Sequence, residues 1–371
     1  MTGKGRCNIT NIADKDVFVE KFKKSGKFFI TALFKFSNKD LIEFFKSYGL
    51  ELVHERQGRV FPIDYKSISV IRVLEKVLHE KGVNVFYKTR IMNIKKEEGL
   101  FILLTDSGKS IIAKKVIVAT GGSSYRMTGS SGDGYKISEK LGHSITRLTP
   151  GLVPLRTKET WVKDLKGIAL KNVIITIVFD NGKKLSTKHG ELMFTHFGIS
   201  GPLALDLSKE ILENMEGASE SRLFIDLKSA LTEEKLNARL IREFTENGKS
   251  ELSNILKNLL PERLAQVFLK IAKIDPLKTG SQITQKERAF IATLLKKFPL
   301  TITGSLPLEE AMVTGGGVSL KEMNPRTMES KIVPGLYFAG EIIDGSAPSG
   351  GYNLQIAFST GFLAGESTKN A

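Results

Sequence analysis

Gly335-Leu336-Tyr337-Phe338-Ala339-Gly340-Glu341-Ile342-Ile343-Asp344 is the stretch that decides the fold, together with Gly350-Gly351-Tyr352-Asn353-Leu354-Gln355-Ile356-Ala357-Phe358-Ser359-Thr360-Gly361 just after it. A short apolar strand delivers Glu341 and Asp344 to a loop, and two glycines then open a helix. An acid so placed can hydrogen-bond sugar or sugar-alcohol hydroxyls. The helix N-terminus offers free N–H groups and a partial positive charge to a phosphate or an anionic ring. The competing reading is an ordinary strand–turn–helix with tight packing. The small residues Ala357, Ser359, Gly361 and Ala364 suit close approach of another backbone under both readings.

A second junction of the same kind lies far upstream. Lys115-Val116-Ile117-Val118-Ala119-Thr120-Gly121-Gly122 is a β-branched run ending in paired glycines, the pattern of a buried parallel strand that meets a ligand loop. The region before it is mixed α/β. Ser37-Asn38-Lys39-Asp40 reads as a capped helix start, with Leu41, Phe44, Phe45 and Tyr48 on one face and Gly49 as its stop. A second amphipathic helix is expected from Ser67 to Lys81, burying Ile68, Ile71, Leu74 and Leu78, and then a strand over Val83–Tyr87. A meander follows, with strands at 91–94, 100–105 and 110–113.

The middle of the chain differs. Val173–Phe179 reads as a strand, Asn181-Gly182 as a type I′ hairpin turn, and the stretch from about Thr232 to Lys297 is helical, punctuated by Pro261, Asp275-Pro276 and Gly280. The expected organisation is therefore an α/β domain from residues 1–149 and 302–371, an inserted β-rich domain at 150–230 and a helical subdomain at 231–301.

Composition narrows the class. The 371 residues are 41% hydrophobic and 26% charged, enough apolar material for a sizeable core. No apolar run is long enough to span a bilayer, and Met1–Cys7 lacks the apolar core of a secretory signal, so a cytoplasmic location is expected. One cysteine excludes an intrachain disulfide and a cysteine-built zinc site, and Cys7 reads as a small buried residue. No histidine shows metal-ligand spacing, so no metal is expected. The net charge of +15 is spread along the chain, and a dedicated nucleic-acid patch is not expected from it. Neither a P-loop nor a complete Gly-x-Gly-x-x-Gly is present: Gly3-Lys4-Gly5 runs on to Asn8, and Gly132-Asp133-Gly134 to Ile137.

Taken with Gly3-Lys4-Gly5-Arg6-Cys7-Asn8-Ile9-Thr10-Asn11, Arg59-Val60-Phe61-Pro62, Gly121-Gly122-Ser123-Ser124-Tyr125, Thr128–Tyr135, Phe194-Thr195-His196-Phe197-Gly198-Ile199-Ser200-Gly201-Pro202, Val313–Val318 and Asn324–Ser330, these stretches resemble the BaiN/YhiN-like flavoproteins from end to end. That group is also described as aminoacetone oxidase family FAD-binding enzymes. The resemblance implies a Rossmann-like FAD-binding domain of the two-dinucleotide-binding-domain flavoprotein type, with an inserted β-rich domain and a helical subdomain. Family members open with a βαβ unit holding the Gly-x-Gly-x-x-Gly loop. This chain starts just after it, roughly 40 residues short, so weak FAD retention is expected of it.

The resemblance further implies FAD contacts from Arg6, Asn8, Thr120, Gly121, Gly122, Gly340, Glu341, Asp344, Gly350, Gly351, Tyr352, Asn353 and Leu354. His196 is the candidate catalytic proton donor, against a structural role in the insert. The implied activity is flavin-dependent oxidoreduction of a small organic substrate, with NAD(P)H as electron donor. The alternatives are a nucleic-acid-associated, RNA-modifying flavoprotein and an inactive fragment; the oligomeric state is left open.

Overall fold

The computed structural model describes residues 5–180, 182–187, 189–215 and 220–369. Two units form, one from Met1–Leu152 with Pro307–Ala371 and one from Val153–Leu306.

In the first unit the two strand–glycine junctions lie side by side. Val116–Val118 pairs in parallel with Leu336–Phe338, Leu336 opposite Val116 and Phe338 opposite Val118. Leu336, Tyr337 and Phe338 are fully buried and share a core with Val116, Val118 and the inward side of the C-terminal helix, Tyr352–Lys369. That helix is tied back to the strand by Thr360, whose hydroxyl accepts the Gly340 N–H at 3.0 Å. A small antiparallel sheet brings Thr10–Asn11 beside Arg59–Pro62 and Leu52–His54.

Local signals survive well. The helix at Asn38–Ser47 begins with a complete Ser37–Asp40 capping box, and Gly49 follows it at φ +83°. The meander forms from Ile91–Glu97, Leu100–Thr105 and Ser110–Ala113. Cys7 is buried.

Three expectations are corrected. Val83–Tyr87 forms no strand: Val83 closes the end of the preceding helix by donating to the Leu78 carbonyl, and Phe86 and Tyr87 stay 69% and 72% exposed. A run of β-formers without a ladder partner cannot hold strand geometry alone. The helix at Ser67–Glu80 is rotated from the expected phase, burying Ser67, Val70 and Val73 while Ile68 and Leu78 face water. Its sequence is apolar at Ile68, Val70, Ile71, Val73, Leu74, Val77 and Leu78, so two overlapping stripes compete and tertiary packing chooses. Finally, Val116–Val118 is not buried throughout. Among the described residues it pairs along one edge only, and Ile117 is 39% exposed.

The second unit is a closed antiparallel barrel. Ala169–Val178, Gly190–Phe194, Gly198–Ser200, Leu155–Thr157, Phe298–Ser305 and Ser221–Asp226 pair in that order, and the last returns to the first. Lys184–Ser186 extends Ala169–Val178 as a hairpin partner; Asn181, in its turn, lies outside the described residues. Closure removes the open edges that a flat sheet would expose. The helices Glu233–Glu246, Leu252–Lys257, Glu262–Ala272 and Gln285–Lys296 share the barrel's hydrophobic core, with Leu236, Leu256, Phe268 and Leu295 buried against it.

Candidate functional site

Glycine and helix geometry in the first unit open a cavity of about 510 Å³. It falls within the usual range for small-molecule and cofactor sites, about 300–1,000 Å³. Its wall is mostly apolar: Phe22, Phe29, Leu152, Met312, Leu354, Ile356 and Phe358 line it, with Arg6, Asn8, Glu341, Ser349 and Asn353 as the polar side chains among them.

Glu341 sits on a single 3-10 turn, Gly340–Ile342, directly after the buried strand. Its Oε1 accepts the Thr314 N–H at 2.7 Å and the Ser124 hydroxyl at 3.4 Å. The Thr314 hydroxyl in turn accepts the N–H groups of Ser123 and Ser124, at 2.8 and 3.1 Å. Thr314 therefore locks the Gly121-Gly122 loop onto the acid. Burial pushes the Glu341 carboxyl above its ordinary value, opposed by the hydrogen bonds from Thr314, Ser124 and Gly122.

Just before the strand Thr10–Asn11, Asn8 accepts the Val60 N–H through Oδ1 at 3.3 Å. Arg6 lies over two rings, 4.8 Å from the Phe61 centroid and 4.5 Å from that of Tyr65. Glu55 bridges Arg6 and Arg59 at 3.1 and 3.0 Å. The guanidinium is thereby fixed in direction while its charge remains partly open to solvent.

The structure brings Arg6, Asn8, Gly121, Gly340, Glu341, Gly350, Gly351, Asn353 and Leu354 to this one cavity. Thr120, Gly122, Asp344 and Tyr352 do not line it. A Cβ at Gly122 would collide with the Thr314 hydroxyl, so that glycine serves the loop's packing. Asn353 faces the cavity, yet its amide is held in the preceding turn by Ala347 and Pro348. His196 is exposed in the turn between Gly190–Phe194 and Gly198–Ser200, edge-on to Phe197, and belongs to the second unit. Sequence reading missed Phe22 and Phe29. Both stand in a lysine-rich stretch whose only signal was paired aromatic residues at the spacing of two helical turns.

The residues present fit the ring end of a flavin. Gly340 and Gly361 both border the cavity. A Cβ at Gly340 would come no closer than 3.7 Å to the Ala357 side chain, and one at Gly361 would meet nothing within 4 Å. Bare backbone thus lines a space that a flat ring can approach closely. The helix Tyr352–Lys369 presents its first N–H groups beside Gly350 and Gly351, where negative charge is favoured. For a dinucleotide pyrophosphate the fit is partial, since no complete glycine fingerprint stands among these residues.

The profile of the family described as "HI0933-like protein Rossmann domain" matches residues 1–367. The chain belongs to the HI0933-like family. Its members are flavin-dependent oxidoreductases of Rossmann type. Among HI0933-like relatives, the chain is 28% identical to the 3-dehydro-bile acid delta(4,6)-reductase of Clostridium scindens, over 98% of this chain and 88% of that protein. It is 30% identical to the ribosomal RNA dihydrouridine synthase of Escherichia coli, over 99% of this chain and 87% of that protein. The Haemophilus influenzae ribosomal RNA dihydrouridine synthase is 29% identical, over 98% and 87%. Among solved structures, a mutant of E. coli quinol fumarate reductase FrdA aligns with a TM-score of 0.45 at 15% identity, covering 98% of this chain and 62% of that one. Among the described residues no helix is long and apolar enough to cross a membrane, and no group of three or more His, Cys, Asp or Glu could hold a metal ion.

Proposed function

We propose that the chain is an FAD-dependent reductase that saturates a carbon–carbon double bond in a small unsaturated ring, with NAD(P)H as the electron donor, in the cytoplasm. The observation that carries this reading is the cavity wall itself: bare glycine backbone, a helix N-terminus and a largely buried carboxyl converge on one apolar space. Both kinds of relative are named for a reduction, one of a bile acid and one yielding dihydrouridine.

When bound, the flavin supplies the hydride chemistry. The chain's own residues do the rest. Gly121, Gly340 and Gly361 leave room for the ring to lie against backbone. The N–H groups opening Tyr352–Lys369 favour negative charge on the ring. Phe22, Phe29, Leu152 and Met312 exclude water, which strengthens every polar contact inside. Glu341, held by Thr314 and Ser124, takes a sugar-alcohol hydroxyl or holds a proton at its free carboxyl oxygen. His196 is proposed as the proton donor on the family resemblance alone; it belongs to the second unit and does not line this cavity.

The test begins with the purified 371-residue chain titrated with FAD and followed by flavin fluorescence. Anaerobic addition of NADH or NADPH should then bleach the bound flavin. Absence of saturable FAD binding, or bound flavin that neither nucleotide reduces, would overturn the reading. His196→Gln should leave that reduction unchanged while slowing reoxidation by substrate.

A further inference from the structure

We propose that His143, Ser330 and Glu322 form a proton-operated latch on the loop that feeds the cavity. One proton taken up by the His143 ring unfastens residues 328–338, which carry the strand leading to Glu341. The inference concerns regulation of the site above and rests on that reading only for the flavin that is released.

Hydrogen positions follow from the donors around Ser330. Its Oγ accepts the N–H groups of Ile332 and Val333 at 3.0 and 2.8 Å, which occupies both lone pairs. Its one hydrogen therefore goes to His143 Nε2, 2.9 Å away. That nitrogen is an acceptor, so the neutral ring bears its hydrogen on Nδ1 and donates it to Glu322 Oε2 at 3.2 Å. The same carboxylate oxygen accepts the Ser144 N–H at 2.9 Å. Both ring nitrogens and the serine hydroxyl are then fully used.

The latch closes a loop. The Ser330 N–H reaches the Leu336 carbonyl at 2.7 Å, and the Gly335 N–H reaches the Glu329 carboxylate at 2.8 Å. The Phe338 N–H returns to the Met328 carbonyl at 3.1 Å. Beyond it the Val118 carbonyl accepts the Ala339 N–H, and Ala339, Gly340 and Glu341 line the cavity. The His143 ring lies edge-on to Phe338, 4.9 Å between centroids. One ring thus touches both the fastening of the loop and the strand that the loop delivers.

A proton on Nε2 ends this arrangement. An N–H would point at an oxygen with no lone pair to spare, and the serine hydrogen would lose its acceptor at a position only 5% exposed. Relief requires Ser330 to give up Ile332 or Val333, and the turn before Leu336 opens. Burial holds the ring below the ordinary histidine value, opposed by the charge and hydrogen bond of Glu322. Other charged groups on the elements around it are turned elsewhere. Glu329 serves Gly335, Lys331 donates to the Lys321 carbonyl, and Glu139 and Lys140 on the preceding helix are exposed. The unfolded chain takes up its proton at about 6.5, the native chain only at lower pH. Stability is therefore complete above that value and is lost as pH falls through the interval.

Serine, histidine and glutamate in this order are also the parts of a hydrolase triad. Here the His143 side chain is fully buried and the Ser330 oxygen is saturated, so no substrate carbonyl reaches it.

The test uses the full chain with and without FAD. Urea unfolding of the wild type and of His143→Gln is followed from about pH 8 to about pH 5. Glutamine keeps an acceptor for Ser330 and cannot titrate. Below about 6.5 the unfolding constants of the two proteins should diverge by up to about tenfold per pH unit, the wild type losing more. Over the same range the wild type should lose more than about threefold in FAD affinity relative to the variant. Wild-type protein with ¹⁵N-labelled histidine gives a check that needs no variant to fold. One of the five histidines should carry its proton on Nδ1 at neutral pH and titrate below the ordinary range.

A stability difference that stays constant with pH would overturn the proposal, as would the absence of such a tautomer. FAD affinity that does not move with the stability difference would overturn it as well. Labelling of Ser330 by a fluorophosphonate would overturn it in favour of a nucleophile. No FAD binding at any pH, with the stability difference and the tautomer both present, would sink the flavin reading alone.

Discussion

Asn11 donates an amide hydrogen to the carbonyl of Gly350, 2.9 Å away and 339 residues distant along the chain. Its other amide hydrogen goes to Gln57, and its Oδ1 accepts the Ala13 N–H. One buried side chain thus joins the N-terminal strand, the turn before Arg59 and the opening of the C-terminal helix. Asn11→Asp keeps the shape but turns a carboxylate oxygen toward two carbonyls. It should destabilise the apo-protein by about 2 kcal/mol or more, read by urea unfolding. FAD affinity should fall with it, because the walls carrying Asn8 and Gly351 are no longer held in register. Unchanged unfolding would show that the clamp is not formed in solution.

The C-terminal helix offers a matched pair of glycines. Gly361 borders the cavity, Gly365 does not, and a Cβ at either would meet nothing within 4 Å. Alanine in a helix interior stabilises by about 0.5–1 kcal/mol relative to glycine. Both Gly361→Ala and Gly365→Ala should therefore raise the melting temperature of the apo-protein. Only Gly361→Ala should weaken FAD binding.

Gly351 belongs to a different class. It sits at φ +94°, and a Cβ there would run into the backbone of Thr10. Gly351→Ala should lower apo-protein stability even without flavin, measured as a drop in melting temperature. Affinity loss without stability loss would contradict the contact with Thr10.

The buried acid sets a pH dependence whose sign follows from its environment. Burial raises the folded-state pKa of Glu341, so the unfolded chain binds fewer protons than the native one between the two values. Its stabilising contribution is complete below the ordinary glutamate range, about 4 to 5, and is lost as pH rises through the raised value. Glu341→Gln keeps an oxygen for Thr314 N–H and Ser124 and has nothing to titrate. The stability of the variant relative to the wild type should rise across that window. A constant difference, measured by urea unfolding at several pH values, would argue against a buried titration.

Among the described residues Val116–Val118 pairs along one edge only, which predicts self-association. Ile117 is exposed on a face of this strand, and Val83, Val85, Phe86 and Tyr87 add further uncovered apolar surface in the same unit. Free strand edges pair with other chains. The purified 371-residue chain should bind a hydrophobic dye and show concentration-dependent light scattering, and Ile117→Lys should reduce the scattering. Limited proteolysis should leave the closed barrel, Val153–Leu306, as the resistant part.

What was legible in the sequence was local or strongly patterned. The Ser37–Asp40 box declares its helix within four residues; the β-branched run before Gly121-Gly122 announced one cavity loop, and the apolar strand before Glu341 with Gly350-Gly351 announced the other. Residues whose meaning depends on distant partners were not legible. Val83–Tyr87 has every property of a strand except a neighbour. The face of Ser67–Glu80 was undecidable because two apolar stripes overlap on it. Glu341 could be named as a site acid, but its hold on Thr314 could not, and Gly122 was read as facing a ligand when it faces that threonine.

The barrel begins and ends at the same place. Leu155 pairs with Ser305, and the Leu306 N–H reaches the Pro154 carbonyl at 3.1 Å. An insertion whose two ends already touch asks almost nothing of the chain that hosts it. The segment can be lifted out and replaced by a short linker, or exchanged for another of similar footing, without stretching the strand Thr149–Gly151 away from its partner Val313–Gly315. The inserted unit is free to diversify while the strand pairing at its point of entry stays as it is.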